Sequence, residues 1–208
     1  MRFARMLILG VLMAAAPALA AADVIPISDV NENDEQGRPV LRGQTVMVRG
    51  VVTVETGALA DTNNIYIQDP TGGVNVLQGG MASPVVAIGD SVLVTGRVEH
   101  ATSSGRTAMY VSSQYPGTRI QVINRGNPLP DPLVLTAREV YLNGETYEGS
   151  WAVVRSVDLA PGNSWPTCSG DQSGRTRIAD ADTTCWMWFA LGSDLCGSAE
   201  PQGLFDVY

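Results

Sequence analysis

Apolar and polar residues alternate along the middle of this chain, and a period of two predicts β-strands rather than helices. Ile65 and Ile67 share one strand face, and Val74 and Val76 do the same after a turn. The turn, residues 69–73, has the sequence Asp-Pro-Thr-Gly-Gly. Proline presets φ, aspartate accepts backbone hydrogen bonds and glycine accepts positive φ, so the segment predicts a hairpin with one core face.

Two longer strands flank this hairpin, and each has a glycine in its middle. Residues 44–54 alternate around Gly50, and residues 91–100 alternate around Gly96. A glycine permits the sharp coil that one strand needs to serve both halves of a small barrel. The pattern therefore predicts an all-β, five-stranded Greek-key barrel. One of two segments supplies the closing strand: 108–112 or 119–123.

The sequence outside the barrel predicts four further parts. The stretch before it is acidic and rich in turn residues, so it is expected to be an extended, solvated arm. Prolines 128, 130 and 132 predict a stiff linker that holds two modules apart rather than fused in one core, followed by a short helix near residues 136–142. The expected division is a leader (1–20), a lead-in (21–43), the barrel (44–125), a linker with the helix (126–147) and a second β-module (148–208).

The second module is expected to be an incomplete barrel. Its predicted strands lie near residues 148–154, 175–180 and 184–191, and a fourth begins near 203. A barrel that ends in mid-strand leaves an open edge, which predicts that the sequence is a fragment of a longer protein. In the third strand, Trp186 and Trp188 share one face while Met187 and Phe189 share the other. One pair must be core, and the other forms an exposed aromatic patch better suited to a sugar or protein than to a polyanion.

The first residues predict export. Arg2 and Arg5 precede an apolar run over residues 6–16, and Ala18-Leu19-Ala20 fits a small-x-small cleavage site. A membrane anchor is the alternative, but the run is too short for a hydrocarbon core of about 30 Å. We therefore expect a secreted, periplasmic or cell-surface protein.

The charge balance is acidic. The chain has 13 basic residues, all arginine, against 21 acidic ones, a net charge of −8. Loss of Arg2 and Arg5 with the leader leaves 11 against 21, near −10. Such a charge repels a polyanion at long range and counts against indiscriminate nucleic-acid binding, while short-range, specific binding remains open.

Four segments together resemble a known family. They read VRGVVT (48–53), YIQDPTGG (66–73), GDSVLVTG (89–96) and NPLPDP (127–132). They are similar to the OB-fold module found in secreted bacterial sugar-nonspecific endonucleases of the YhcR type, over about residues 44–135. The resemblance implies an OB-fold, often in tandem with a second similar module. It further implies an exported, non-catalytic binding module, accessory to a domain outside this sequence.

The same resemblance implies where a ligand lies. Single-stranded nucleic acid or oligosaccharide would cross the second and third strands and the adjoining loops. In this chain those positions are Tyr66, Gln68 and Asn75, with Arg97 and Arg106 beside them. Nucleic acid is the favoured partner, and a cell-surface adhesion or carbohydrate-contacting spacer is the alternative. A half-exposed Tyr66 that only supports strand pairing is an equally good interpretation of that residue.

No residue set in the sequence predicts catalysis. His100 is the only histidine, and one histidine near many serines makes no triad. Asp61, Asp69 and Asp90 could be metal ligands, but the last two stand beside proline or glycine at reversals and are better explained as turn residues. We expect no enzyme activity, no cofactor and no metal.

Three cysteines fall in the second module. If its first strand runs upward, Cys168 and Cys196 lie at the same end of the barrel and Cys185 at the other. In an exported protein this predicts a Cys168–Cys196 disulfide. Cys185 is then a free thiol or the partner of a residue outside the sequence. A zinc site is the competing interpretation, but no CxxC pair or neighbouring histidine supports it.

Overall fold

The structure, a computed structural model, describes residues 23–58, 64–79, 84–101, 105–165, 174–189, 195 and 198–208. The strands are β1 (Val24–Ile25), β2 (Thr45–Val54), β3 (Asn64–Asp69), β4 (Gly72–Gly79), β5 (Ser91–Ala101), β6 (Arg106–Ser112), β7 (Arg119–Asn124), β8 (Leu133–Leu135), β9 (Ala152–Leu159), β10 (Gly174–Ala179), β11 (Thr184–Phe189) and β12 (Phe205–Val207). The helices are α1 (Ile27–Val30), α2 (Ala137–Asn143) and a 3-10 turn, Gly144–Tyr147. Within these ranges, no helix is long and apolar enough to cross a membrane.

Five strands close a barrel in the order β2-β3-β4-β6-β5, because β5 pairs again with β2. Neighbours in the ring are antiparallel except β4 and β6, which are parallel. This ring is the OB-fold topology, so the predicted all-β OB-fold barrel is confirmed. Ile65, Ile67, Val74 and Val76 are fully buried in its core, as the alternation predicted.

The two mid-strand glycines lie where the strands change partners. The first part of β2 pairs with β5 and its end pairs with β3, and a Cβ on Gly50 would lie 3.0 Å from the Gln68 carbonyl oxygen. β5 pairs with β7 up to Thr95 and with β6 from Arg97 onward. A Cβ on Gly96 would meet the Met109 side chain at 3.0 Å. Both glycines therefore permit close packing at a bend. Of the two candidate closing segments, β6 completes the ring and β7 extends the sheet beside β5.

The lead-in is packed on the barrel, so its prediction as a solvated arm is wrong. β1 pairs in parallel with β2, and Ile27 and Val30 of α1 are fully buried in the barrel core. The Ile27 N–H donates to the Asp69 carboxylate at 3.0 Å. The burial of Ile27 and Val30 explains why this acidic segment packs on the barrel, because burying each such side chain stabilises the folded state by about 1.5–3 kcal/mol.

The linker leads through a capped helix into a second sheet. Thr136 caps α2 reciprocally with Glu139, which confirms the short helix. The second sheet has the order β11-β10-β9-β12, and β8 pairs in parallel with β9. Its core is separate from that of the barrel and contains Met187 and Phe189, so these residues, rather than the two tryptophans, form the buried face of β11.

One hydrogen-bond arrangement occurs in both halves of the chain. The carboxylate of Asp69, the last residue of β3, accepts the N–H groups of Thr71, Gly72 and Ile27. The Asp180 carboxylate follows β10 and accepts those of Asp182 and Thr183 and, at 2.7 Å, that of Ala137. Ile27 and Ala137 are the first residues of α1 and α2. In each half, one aspartate thus forms a turn and binds the first N–H of a short helix. The strand before that helix pairs in parallel with the strand after it: β1 with β2, and β8 with β9.

Candidate functional site

The outer face of β3 and β4 holds three of the residues that the sequence predicts to bind a ligand. Tyr66 lies opposite Asn75, and Gln68 lies opposite Gly73. The side chains of Tyr66, Gln68 and Asn75 point away from the barrel core, because the core residues of β3 and β4 occupy the alternate positions. The alternation along β3 and β4 therefore predicts correctly that these side chains lie on the outer face. Whether a ligand can reach them depends on which segments cover that face.

The segment 148–151 covers one end of this face. The Trp151 N–H donates to Gln68 Oε1 at 2.6 Å, and the Gly73 N–H donates to Ser150 Oγ at 2.9 Å. A Cβ on Gly73 would lie 2.2 Å from the Gly149 carbonyl oxygen, so the two backbones touch. The modules are therefore in contact and not held apart by the linker, although their cores are separate.

Gln68 and Asn75 are each only 3 % exposed. Gln68 is engaged by Trp151, and the Asn75 amide donates to the Ile65 carbonyl at 3.3 Å. A ligand would reach Gln68 only if the segment 148–151 moved away. Their role in ligand binding stays a prediction, and in this conformation neither side chain offers a free polar group at the surface.

Glu148 anchors the covering segment over β6. Its Oε2 accepts the Thr107 N–H at 3.0 Å, and its carbonyl oxygen accepts the Asn31 amide at 3.4 Å. The same Asn31 amide donates to the Gly73 carbonyl at 2.8 Å. Burial raises the pKa of the Glu148 carboxyl, and the nearby Glu145 adds to that rise. The lead-in, the barrel and the linker thus meet around one half-buried carboxyl group.

Tyr66 and Arg106 lie together at the uncovered end of the face. Arg106 Nη1 donates to the Tyr66 hydroxyl at 3.1 Å, Tyr66 is half-buried and Arg106 is exposed. Arg97 lies on the neighbouring strand β5, four positions from Ala101, the residue opposite Arg106. It pairs with Glu99 at 2.7 Å, and its guanidinium carbon lies 5.1 Å from the centroid of the Tyr115 ring. The structure therefore joins two of the five predicted residues into one surface site and places Arg97 elsewhere.

A second surface lies on β10 and β11, and the pattern in β11 predicts its tryptophans but not its arginines. Trp186 and Trp188 are 52 % and 62 % exposed. Arg177 is the cross-strand partner of Trp186, and Arg175 that of Trp188. We name these four residues the tryptophan–arginine ladder. Period-two alternation in β10 would have revealed its arginines, since Thr176 and Ile178 between and beside them are buried.

A groove of about 870 Å³ opens between the lead-in, the barrel and the linker. Its walls include Val24, Pro26, Arg49 and Leu129. These residues come from segments far apart in the chain, so no local pattern predicts the groove. The walls combine apolar side chains with the guanidinium of Arg49 and the carboxylates of Asp69 and Asp131.

The aspartates considered as metal ligands serve structural roles where the structure describes them. Asp69 and Asp90 both accept backbone N–H groups at turns, as expected, and Asp90 also pairs with Arg125 at 2.6 Å. Asp61 lies outside the described residues. His100 Nδ1 is buried with no hydrogen-bond partner among the described residues. No group of three His, Cys, Asp or Glu side chains placed to hold a metal occurs in the described ranges.

Only one cysteine can be placed. Cys185 is a buried free thiol on β11, and burial raises its pKa. Cys168 and Cys196, the predicted disulfide pair, lie outside the described residues, as does the predicted leader.

Comparison with known proteins yields structural similarity only. No protein-family model matches the sequence. No curated protein matches it either. Seven chains of solved structures do match. A chain assigned as an aspartyl-tRNA synthetase from Leishmania major Friedlin is 16 % identical with a TM-score of 0.36, and the match covers 56 % of this chain and 23 % of that one. Aspartyl-tRNA synthetase from Entamoeba histolytica is 16 % identical with a TM-score of 0.33, over 60 % and 30 % of the two chains. The fold assignment rests on the strand topology.

Proposed function

We propose that this chain is an exported, non-catalytic binding protein whose ligand is single-stranded nucleic acid, and that it serves as an accessory to a separate domain. The observation that supports this most directly is the Tyr66–Arg106 pair on the outside of a closed OB barrel. A ring and a guanidinium at one surface position offer a base a stacking partner and a phosphate a cation. The resemblance to exported nuclease modules favours the same ligand.

The test is fluorescence anisotropy with labelled single strands. Binding should weaken as salt rises and should weaken further in Tyr66→Ala. Tyr141→Ala is the matched control, because Tyr141 is 69 % exposed on α2, away from the pair. No binding at tens of micromolar protein would count against nucleic acid as the ligand.

We infer that the second sheet is a second copy of the same folding unit. Its order, β11-β10-β9-β12, corresponds to β4-β3-β2-β5 of the barrel, and β8 stands beside β9 as β1 stands beside β2. The Asp69 and Asp180 arrangements support the correspondence, since their long-range bonds span 42 and 43 residues. A structure of a longer reading frame in which the sheet closes through a fifth strand would support the inference, and a sheet that stays open would contradict it.

Export and lack of catalysis complete the proposal. The leader at residues 1–20 favours a mature protein beginning at Ala21, which N-terminal sequencing of the exported protein checks. The single histidine favours a chain that leaves nucleic acid intact. Incubation of labelled strands with the protein and Mg²⁺, Ca²⁺ or Zn²⁺ should yield no cleavage products.

The second candidate function is a carbohydrate-contacting or adhesive spacer at the cell surface. The net charge of −8 and the exposed Trp186 and Trp188 favour it. It predicts quenching of tryptophan fluorescence by neutral oligosaccharides, independent of salt, without competition from single-stranded DNA.

A further inference from the structure

We propose that the tryptophan–arginine ladder is a binding site for an extended single strand of nucleic acid. Bases would stack on Trp186 and Trp188, and phosphates would contact Arg175 and Arg177. This inference rests on the ligand class of the proposed function. It places the main contact on β10 and β11, away from the Tyr66–Arg106 pair.

The four side chains form one compact platform. The Arg175 guanidinium carbon lies 5.0 Å from the centroid of Trp186 and 5.3 Å from that of Trp188. That of Arg177 lies 5.7 Å from Trp186. Each arginine therefore holds an indole by a cation–π contact, while Trp186 and Trp188 both remain exposed. Such contacts restrain the rings before a ligand arrives and so reduce the ordering penalty of binding.

The ladder arginines carry charge that no described carboxylate pairs with. The ion pairs among the described residues all involve other arginines: Arg38, Arg42, Arg97, Arg125 and Arg155. Among the described residues, the Arg177 guanidinium donates to the neutral Thr184 hydroxyl. In a chain with a net charge of −8, two guanidinium groups that pair with no carboxylate of the described residues form, beside two exposed indoles, a local cationic site. A phosphate supplies the charge that this site lacks.

The buried side of the same strands makes the platform rigid. Met187 and Phe189 pack into the core beneath the ladder, and Phe189 contacts Trp165 at a centroid distance of 4.8 Å. Thr176, between the two arginines, is 2 % exposed and donates to the Ser164 carbonyl at 3.0 Å. Rotation of β10 or β11 would disrupt these contacts, so packing on the buried face of the two strands fixes the orientation of the ladder.

The spacing and chemistry fit a nucleotide strand better than a sugar. Side chains two residues apart on a strand are separated by about 6.6 Å, a length that one extended nucleotide spans. Sugar hydroxyl groups call for both hydrogen-bond donors and acceptors, but the four ladder side chains supply donors and no acceptor. Base stacking on aromatic side chains tolerates any base, so we expect weak sequence preference.

The test uses the whole chain and a fluorescein-labelled oligodeoxythymidine about 12 nucleotides long, followed by anisotropy. Trp186→Ala and Trp188→Ala should each weaken binding by about 5-fold to about 150-fold. For the unaltered protein, two phosphate contacts predict a slope of log K against log salt of about −1.4. Arg175→Ala removes one contact and should make this slope shallower. Tyr141→Ala and Arg138→Ala are exposed controls on α2 and should bind as the unaltered protein does. Thermal unfolding checks that each variant is folded.

The outcomes separate this inference from the proposed function. If the protein binds and the folded ladder variants bind equally well, while Tyr66→Ala loses affinity, the ladder site is overturned and the proposed function stands. If the protein fails to bind at tens of micromolar in low salt, both are overturned. Quenching of tryptophan fluorescence by a neutral oligosaccharide in that case, if it is lost in Trp186→Ala and Trp188→Ala, identifies the ladder as a sugar platform. Loss of binding in the ladder variants supports the ladder site and nucleic acid as the ligand, and unchanged binding of Tyr66→Ala in that case overturns the Tyr66–Arg106 pair as a contact.

Discussion

Asp69 and Asp180 each perform two tasks with one carboxylate. One oxygen accepts two N–H groups of the turn, and the other accepts the first N–H of a helix more than 40 residues earlier. Backbone hydrogen bonds hold the pKa of the Asp180 carboxyl below its ordinary value, with the Thr183 N–H as the largest cause. Hydrogen bonds to a charged group contribute about 1.5–3 kcal/mol, roughly twice those between neutral groups. Such an aspartate fixes the tertiary position of a short helix that has little stability of its own.

We predict that Asp69→Ala lowers the free energy of unfolding by about 1–3 kcal/mol, because three backbone N–H groups lose their acceptor. Urea unfolding measures the change. Asp29→Ala is the control: its carboxylate, exposed on α1, bonds only the neighbouring Ser28 hydroxyl. We expect about 0.5 kcal/mol or less for that variant. Equal losses in the two variants would show that the Asp69 bonds do not anchor the lead-in.

We predict that Cys185 reacts with a thiol reagent slowly in the folded protein and quickly in urea. Its side chain is 4 % exposed, and burial raises its pKa, so both access and thiolate fraction are reduced. A spectrophotometric thiol assay with and without denaturant compares the two rates. Rapid reaction of Cys185, located by peptide mapping, in the absence of denaturant would contradict the buried placement of β11 side chains.

At the scale of elements, alternation predicted the strands and their faces well. Ile65 and Ile67 were assigned to the core from local pattern alone, since a strand buries every second residue regardless of its partners. The cover on the outer face was not predictable in this way. The bond between Gln68 and Trp151 joins residues 83 positions apart, and no local pattern in β3 encodes it. The acidic, turn-rich composition of the lead-in predicts a solvated arm, whereas the burial of Ile27 and Val30, three positions apart, packs it on the barrel.

The contact between β4 and the segment 148–151 requires glycine at position 73 but not at position 72. We predict that Gly73→Ala separates the two backbones, because its Cβ would lie 2.2 Å from the Gly149 carbonyl oxygen. Overpacking of this kind typically costs about 1–3 kcal/mol. Faster hydrogen exchange at the Trp151 amide, which donates to Gln68, is the expected sign that the segment has moved.

The neighbouring glycine is a matched control for that experiment. A Cβ on Gly72 would meet its nearest atoms at 3.9 Å, ordinary contact distance. Gly72→Ala should therefore leave Trp151 exchange unchanged. Protection of the Trp151 amide in Gly73→Ala equal to that in Gly72→Ala would mean that the segment is not held by close approach to β4.

At the scale of the whole molecule, two small cores are joined by a polar contact. The barrel core and the second core share no buried residue, and the described bonds between them centre on Gly73, Glu148, Ser150 and Trp151. Contacts of this kind between modules are smaller and more polar than a core, so solution conditions are expected to change them first. Acidity is the relevant condition, because the contact contains the half-buried carboxyl group of Glu148.

Glu148 titrates in the opposite sense to the other perturbed carboxyls. Burial raises its pKa above the ordinary value of 4.5, although the Thr107 N–H and the Arg106 guanidinium oppose the rise. Backbone and side-chain bonds to Thr136 instead lower the pKa of Glu139. A raised folded-state pKa means that the folded protein binds the proton more tightly than the unfolded chain. The stability linked to Glu148 is therefore fully present below 4.5 and is lost as pH rises through its folded-state pKa.

We predict that the unaltered protein gains stability relative to Glu148→Gln as pH falls from about 7.5 to about 4.5. Glutamine keeps an acceptor for the Thr107 N–H but carries no charge, so it removes the titration and preserves the bond. Urea unfolding of both proteins across this range gives the difference. Glu139→Gln provides the opposite sign, because a lowered pKa makes the unaltered protein lose relative stability as pH falls. Because acid titrates every other carboxylate in both proteins alike, only the difference between them reports on Glu148. A difference that is independent of pH would show that Glu148 is solvated, and that the contact between the two modules is open in solution.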